Sequence, residues 1–149
     1  IPLDVTSGEG HPPINDVRIR PLINDTLSKD NDNTLVATRG QDPCIWIYPI
    51  KEWKKIEDEL RKLSSISGIH RTFVRQIARS ATPSTCDKQG RIIISPSLLS
   101  YAKLNKEALI LGMINKIEIW NPDILEKVDK NNINDDPNEF NSLAEKIVI

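Results

Sequence analysis

A chain of 149 residues, 38% hydrophobic and 28% charged, has the length and composition of one soluble globular domain, or of two very small ones sharing a core. No run approaches the roughly 20 apolar residues that a membrane-spanning helix needs. The formal net charge of −1 does not announce a nucleic-acid partner, but the charge is unevenly spread: residues 51–91 hold ten Lys/Arg against five Asp/Glu (+5), and residues 117–149 hold three against eight (−5). Such polarity either sets a basic face opposite an acidic one or marks two solvated helical surfaces of opposite sign.

Residues 1–33 are rich in proline, glycine, asparagine and aspartate and read as irregular, with one alternation, Val17-Arg18-Ile19-Arg20-Pro21, that suits a short strand. The opening at Ile1 has neither an apolar core nor a cleavage-site pattern, which reads as a fragment or processed terminus rather than a signal peptide. Thr34–Arg39 is a strand by its β-branched content, Gly40-Gln41-Asp42-Pro43 a hairpin turn, and Cys44–Tyr48 the returning strand, ended by Pro49. A helix follows over Lys51–Leu63, with Trp53, Ile56, Leu60 and Leu63 in one apolar stripe read as core.

Gly68 breaks that helix. A second, Ile69–Ala78, turns Phe73, Val74 and Ile77 inward and stacks Arg71, Arg75 and Arg79 at four-residue spacing, where they repel unless an anion or acidic partner lies near. Cys44 and Cys86 stand far apart without a second ligand pair, so the reading is buried thiols in a reducing cytoplasm, with no metal.

The stretch Thr85–Pro96 is the most informative. It reads as a strand end, a tight loop, a second strand and a helix start. Asp87 can close an Asx-type turn and Gly90 supplies the positive φ that such a loop needs. Arg91-Ile92-Ile93-Ile94 is a strand entering the core, and Ser95 with Pro96 is an N-cap followed by a proline at the first helical position. The loop thus carries Lys88 and Arg91 on a backbone with little freedom: either a phosphate- or base-reading element or an ordinary polar turn. Arg91 can also be partly structural, pairing with Asp87. Beyond it a short helix covers Pro96–Ala102, and Glu107–Met113 with Lys116–Trp120 forms a hairpin turned at Ile114-Asn115. Asn121-Pro122 caps a helix to Val128, Lys130–Asp136 reads as mobile, and Phe140, Leu143 and Ile147 give the last segment an apolar helical face.

The chain also repeats. A shift of 72 residues lays Ile45-Trp46-Ile47-Tyr48 on Ile117-Glu118-Ile119-Trp120 and Gly40 on Gly112. Neither half could bury its strands alone, so two interlocked units in one pseudo-twofold barrel are expected. The expected division is a first half over 1–49, a helical connector over 50–82, a second half over 83–128, and a polar linker with a C-terminal helix over 129–149.

Asp87-Lys88-Gln89-Gly90-Arg91, followed by Ile94 and Pro96, resembles the D-x-x-G-R signature of MraZ proteins. So do Leu111–Trp120 and Thr38-Arg39-Gly40 running into Cys44–Pro49, and the likeness extends from about Leu35 to Val128. The resemblance implies an α+β fold, a duplicated AbrB-like swapped-hairpin β-barrel with flanking helices, whose chains associate into homo-oligomeric rings. It implies a bacterial transcriptional regulator, cytoplasmic and nucleoid-associated, that binds double-stranded DNA at short direct repeats in a promoter. The D-x-x-G-R loops are the family's DNA-contacting elements: Lys88 and Arg91 take that role here, Asp87 and Gly90 shape the loop, and Arg18 is the counterpart in a first loop that lacks its glycine.

The chemistry agrees, since arginine can bond guanine bidentately and lysine suits a phosphate. A ring of identical loops on repeated sites would explain how a nearly neutral chain binds DNA. The alternative is an AbrB-like interaction or assembly module without DNA binding. Catalysis is not expected: His11 and His70 are the only candidate neutral-pH bases, and no nucleophile elbow or phosphate-binding loop appears. Neither a cofactor, a small-molecule substrate nor a membrane partner is expected.

Overall fold

The computed structural model describes residues 34–88 and 90–147, together with the backbone of 16–18. The expectations for His11, for Ile19–Pro21 and for the polar run before Thr34 therefore lie outside the described residues. Two sheets organise what is described. A two-stranded ribbon pairs β1 (Asp16–Arg18) with β5 (Arg91–Ile93). A five-stranded antiparallel sheet runs β4-β2-β3-β7-β6, from β4 (Thr82–Thr85), β2 (Thr34–Arg39), β3 (Ile45–Pro49), β7 (Ile117–Trp120) and β6 (Leu109–Gly112).

Alternation along these strands builds two layers. Leu35, Ala37, Ile45, Ile47, Ile110, Ile117 and Ile119 point to one face, where Ile92, Ile94, Leu98 and Leu99 close the main core. Full burial of each leucine or isoleucine side chain stabilises by roughly 1.5–3 kcal/mol. The opposite face of the sheet carries Val36 and Tyr48, which pack on Trp53 of α1 (Ile50–Arg61) with Ile56 and with Ile77 of α2 (Gly68–Ser80). α2 is fixed to the sheet at its far end by a 2.7 Å hydrogen bond between the Thr38 and Ser80 hydroxyls.

The central seam joins the two hairpins. β3 pairs with β7 in the register Ile45↔Ile119, Trp46↔Glu118 and Ile47↔Ile117. Residues matched by the 72-residue shift thus face each other at Trp46 and Glu118 and exchange places on either side of them. That is the register a two-fold relation between the hairpins requires.

Several expectations are corrected. Of the stripe Trp53, Ile56, Leu60 and Leu63, only Trp53 is buried; the others are half-buried, and Leu60 and Leu63 line an open groove beside α2. Phe73 is not buried in the core: it is 43% exposed and lines an apolar cleft with Trp53, Ile56, Leu60 and Ile77. The mobile segment expected over Lys130–Asp136 is helical. α4 (Pro122–Asp135) runs through it and α5 (Pro137–Lys146) follows. The physical reason is that Asn121 caps α4, a Glu126–Lys130 pair at 3.2 Å supports its exposed face, and no glycine or proline intervenes before Pro137.

Candidate nucleic-acid interface

The loop from Cys86 to Gly90 crosses from β4 in the large sheet to β5 in the ribbon, so its two ends are held by different layers. Asp87 organises it. The Asp87 N–H donates to the Arg91 carbonyl at 2.9 Å, and the Gly90 N–H donates to the Asp87 carbonyl at 3.0 Å. The Asp87 carboxylate accepts from the Arg91 backbone N–H at 2.8 Å and from Arg91 Nε at 3.0 Å. Gly90 sits at φ 79°, in the left-handed region where a side chain is strained. The turn reading of Asp87 and Gly90 and the pairing of Arg91 with Asp87 both hold.

The consequence is a fixed platform with one cation held by it and one held out. Arg91 is anchored through Nε, its side chain about one-third exposed. Lys88, at the tip, is exposed and has no hydrogen-bond or ion-pair partner among the described residues. Downstream, Ile92 and Ile94 plunge into the core while Ile93 between them stays 74% exposed. Ser95 then caps α3 (Pro96–Tyr101), its hydroxyl accepting from the Leu98 N–H at 3.4 Å, with Pro96 at the helix start.

The ribbon brings a third cationic position to the same place. β1 and β5 pair antiparallel with Asp16↔Ile93, Val17↔Ile92 and Arg18↔Arg91. Arg18, more than seventy residues earlier in the chain, is therefore in direct register with Arg91. The sequence offered the resemblance of the two segments but not their pairing. One signal for it was present: each is a short β-branched run too small to stand alone as a strand.

Elsewhere, the cysteines are both buried free thiols. Burial, with Glu118 and Asp42 nearby, pushes the Cys44 thiol up to about 12, so it stays protonated and unreactive at neutral pH. His70 accepts from the Ser64 N–H through Nδ1 at 3.0 Å and serves the α1–α2 turn. No group of three or more potential metal ligands occurs among the described residues, and no described helix is long and apolar enough to cross a membrane.

A family model described as "MraZ protein, putative antitoxin-like" matches the chain twice, over residues 22–76 and 77–143. The chain belongs to the MraZ family. Among curated relatives, the transcriptional regulator MraZ of Pediococcus pentosaceus is 35% identical over 133 residues, 89% of this chain and 90% of that protein. That of Natranaerobius thermophilus is 37% identical over 133 residues, with the same coverage of 89% and 90%. That of Halothermothrix orenii reaches 43% over 105 residues, 70% of this chain and 73% of its own length. The boundary between the two MraZ matches falls inside α2, so each match takes one of the two hairpins at the central seam.

Proposed function

We propose that this protein is a sequence-specific, DNA-binding transcriptional regulator that reads short direct repeats in a promoter as a ring-shaped oligomer, in the cytoplasm at the nucleoid. Its curated relatives carry the name transcriptional regulator. The observation that supports the reading most is the Asp87 loop. A turn stiffened by four hydrogen bonds and a left-handed glycine holds Lys88 out, on a ribbon where Arg18 stands opposite Arg91.

Chemically, Lys88 suits a phosphate contact: a compact charge on a flexible stem at the tip of a rigid loop. Arg91 has its Nε committed to Asp87, which orients the guanidinium for a base edge. One loop of this kind binds weakly, and repetition around a ring multiplies it on repeated sites. The fold that accommodates this is a duplicated swapped-hairpin barrel. Its halves are 1–49 and 83–128, its helical connector 50–82 and its C-terminal appendage 129–149.

A second reading is favoured by one observation: the Asp87–Arg91 pair is also what a purely structural turn would use, which suits an interaction module without DNA binding. A gel-shift series against duplexes carrying one to four spaced repeats decides between them. The DNA reading predicts affinity that climbs steeply with repeat number and falls with salt; binding indifferent to both would reject it.

A further inference from the structure

The arginines of α2 do not share one role. Arg71 donates to the Ser65 and Ile66 carbonyls and serves the turn before the helix. Arg79 has no hydrogen-bond or ion-pair partner among the described residues, and it lines a polar cleft of about 220 Å³ with Arg39, Gln76, Ser80 and Ser97. Three elements meet there: the end of β2, the last turns of α2 and the start of α3. Gln76 and Arg79 stand three residues apart, so both reach the cleft from one face of α2.

The fold holds the walls of this cleft. The Arg39 guanidinium lies 4.6 Å over the Tyr101 ring, whose hydroxyl donates to the Gly40 carbonyl at 2.8 Å. Ser80 is committed to packing: its hydroxyl pairs with that of Thr38 at 2.7 Å, donates to the Ile77 carbonyl at 3.1 Å and accepts from the Arg39 N–H at 3.4 Å. What remains to face a ligand is two guanidiniums, the Gln76 amide and the Ser97 hydroxyl, which lies 3.5 Å from that of Ser95. No carboxylate lines the cleft, and neither arginine has an ion pair among the described residues.

Cations gathered in a hollow without a counterion call for an anion. Arginine bonds phosphate oxygens bidentately, and an amide and a hydroxyl can donate to the oxygens that remain. Two guanidinium charges match a dianion, which selects free phosphate or a phosphate monoester over a carboxylate or the singly charged phosphodiester of a nucleic acid. We infer that this cleft binds the phosphoryl dianion of a small ligand, with Arg39 and Arg79 as its charge partners and Gln76 and Ser97 as further donors. The ligand ties the C-terminal end of α2 to α3. The site is independent of the DNA reading: it lies beyond the Ala37↔Thr82 end of the β2–β4 ladder, whereas the Asp87 loop follows the Thr34↔Thr85 end.

The test is isothermal titration calorimetry of the full chain at about pH 8, well above the phosphate monoester pKa of about 6, with ionic strength held constant by chloride. The probes are inorganic phosphate and glycerol phosphate. Saturable binding is expected, and the tighter probe tells a free ion from a phosphorylated small molecule. Arg79→Gln should weaken it about tenfold or more, the loss of one charge-assisted contact. Arg75→Gln removes the same charge from the same helix outside the cleft and should leave binding unchanged. Both side chains are exposed, and circular dichroism checks that both variants stay folded. Equal weakening by the two variants would reduce the effect to net charge and overturn the site, as would the absence of saturable binding of either probe. If phosphate does not bind and Arg79→Gln instead lowers the log–log salt slope of duplex binding by about 0.9, the cleft takes a DNA backbone phosphate and the small-ligand site is overturned.

Discussion

Trp46 and Glu118 face each other across the central seam, with Trp46 Nε1 donating to Glu118 Oε2 at 2.8 Å. The other carboxylate oxygen accepts from Trp120 Nε1 at 3.1 Å, and Lys116 lies 4.1 Å over the Trp46 ring. One carboxylate thus satisfies two indoles at the point where the hairpins meet. Glu118→Ala leaves both N–H groups without that acceptor, and Trp120 is almost fully buried. We expect a loss of about 1–3 kcal/mol in urea unfolding followed by tryptophan fluorescence. An unchanged midpoint would mean that water replaces the carboxylate at no cost.

The α1 stripe separates a core position from a groove position. Trp53→Ala should cost on the order of 3–5 kcal/mol, since that ring is buried against Tyr48. Leu60→Ala, at a half-buried groove position, should cost about 1 kcal/mol, well short of a closed cavity. Equal costs in thermal unfolding would show that the groove is filled.

Much of this was legible from residue patterns. The β2–β3 and β6–β7 hairpins, the Ser95 cap and the Asp87 turn each follow from local chemistry, in which neighbouring residues decide the conformation. What was not legible depends on distant partners. Leu60, Leu63 and Phe73 repeat at helical spacing whether the helix lies on a core or beside a groove, so periodicity could not tell the two apart. The pairing of Arg18 with Arg91 is a long-range register that neither three-residue strand specifies. Glu118 does carry a local signal of its role: it is a carboxylate between two buried isoleucines, opposite a tryptophan under the 72-residue shift.

Alkaline pH should destabilise the protein through Cys44 and Tyr48. Burial raises the Cys44 thiol from 9.0 to about 12 and the Tyr48 phenol from 10.0 to about 12. Between those values the folded chain holds protons that the unfolded chain has released, so stability falls as pH rises. The contribution is fully present below about pH 9 and is lost progressively towards pH 12. Cys44→Ser should flatten the first part of that decline in denaturant midpoints measured from pH 8 upward. A decline of unchanged shape would place its origin elsewhere.

Asp87 offers a test in which geometry and charge predict opposite signs. Asp87→Ala removes a negative charge beside the proposed contact, which by electrostatics alone would strengthen DNA binding. It also removes the acceptor for the Arg91 N–H and Nε and frees the turn. We expect binding to weaken and Gly90→Ala to act in the same direction, since its φ of 79° strains any side chain. Tighter binding by a folded Asp87→Ala chain would show that loop rigidity is not used.

The central claim is that the Asp87 loop reads DNA, and the most direct measurement is the salt dependence of binding by Lys88→Ala. Among the described residues Lys88 has no hydrogen-bond or ion-pair partner. Its removal should weaken binding to specific and scrambled duplexes alike and lower the log–log salt slope by about 0.9 for each phosphate it no longer neutralises. Arg91→Lys, measured beside it, keeps the charge but loses the fork, and should relax preference for the correct repeat by roughly 1–3 kcal/mol. Arg18→Ala should matter less than either. A folded Lys88→Ala chain that binds as tightly as the parent at every salt concentration would contradict the account.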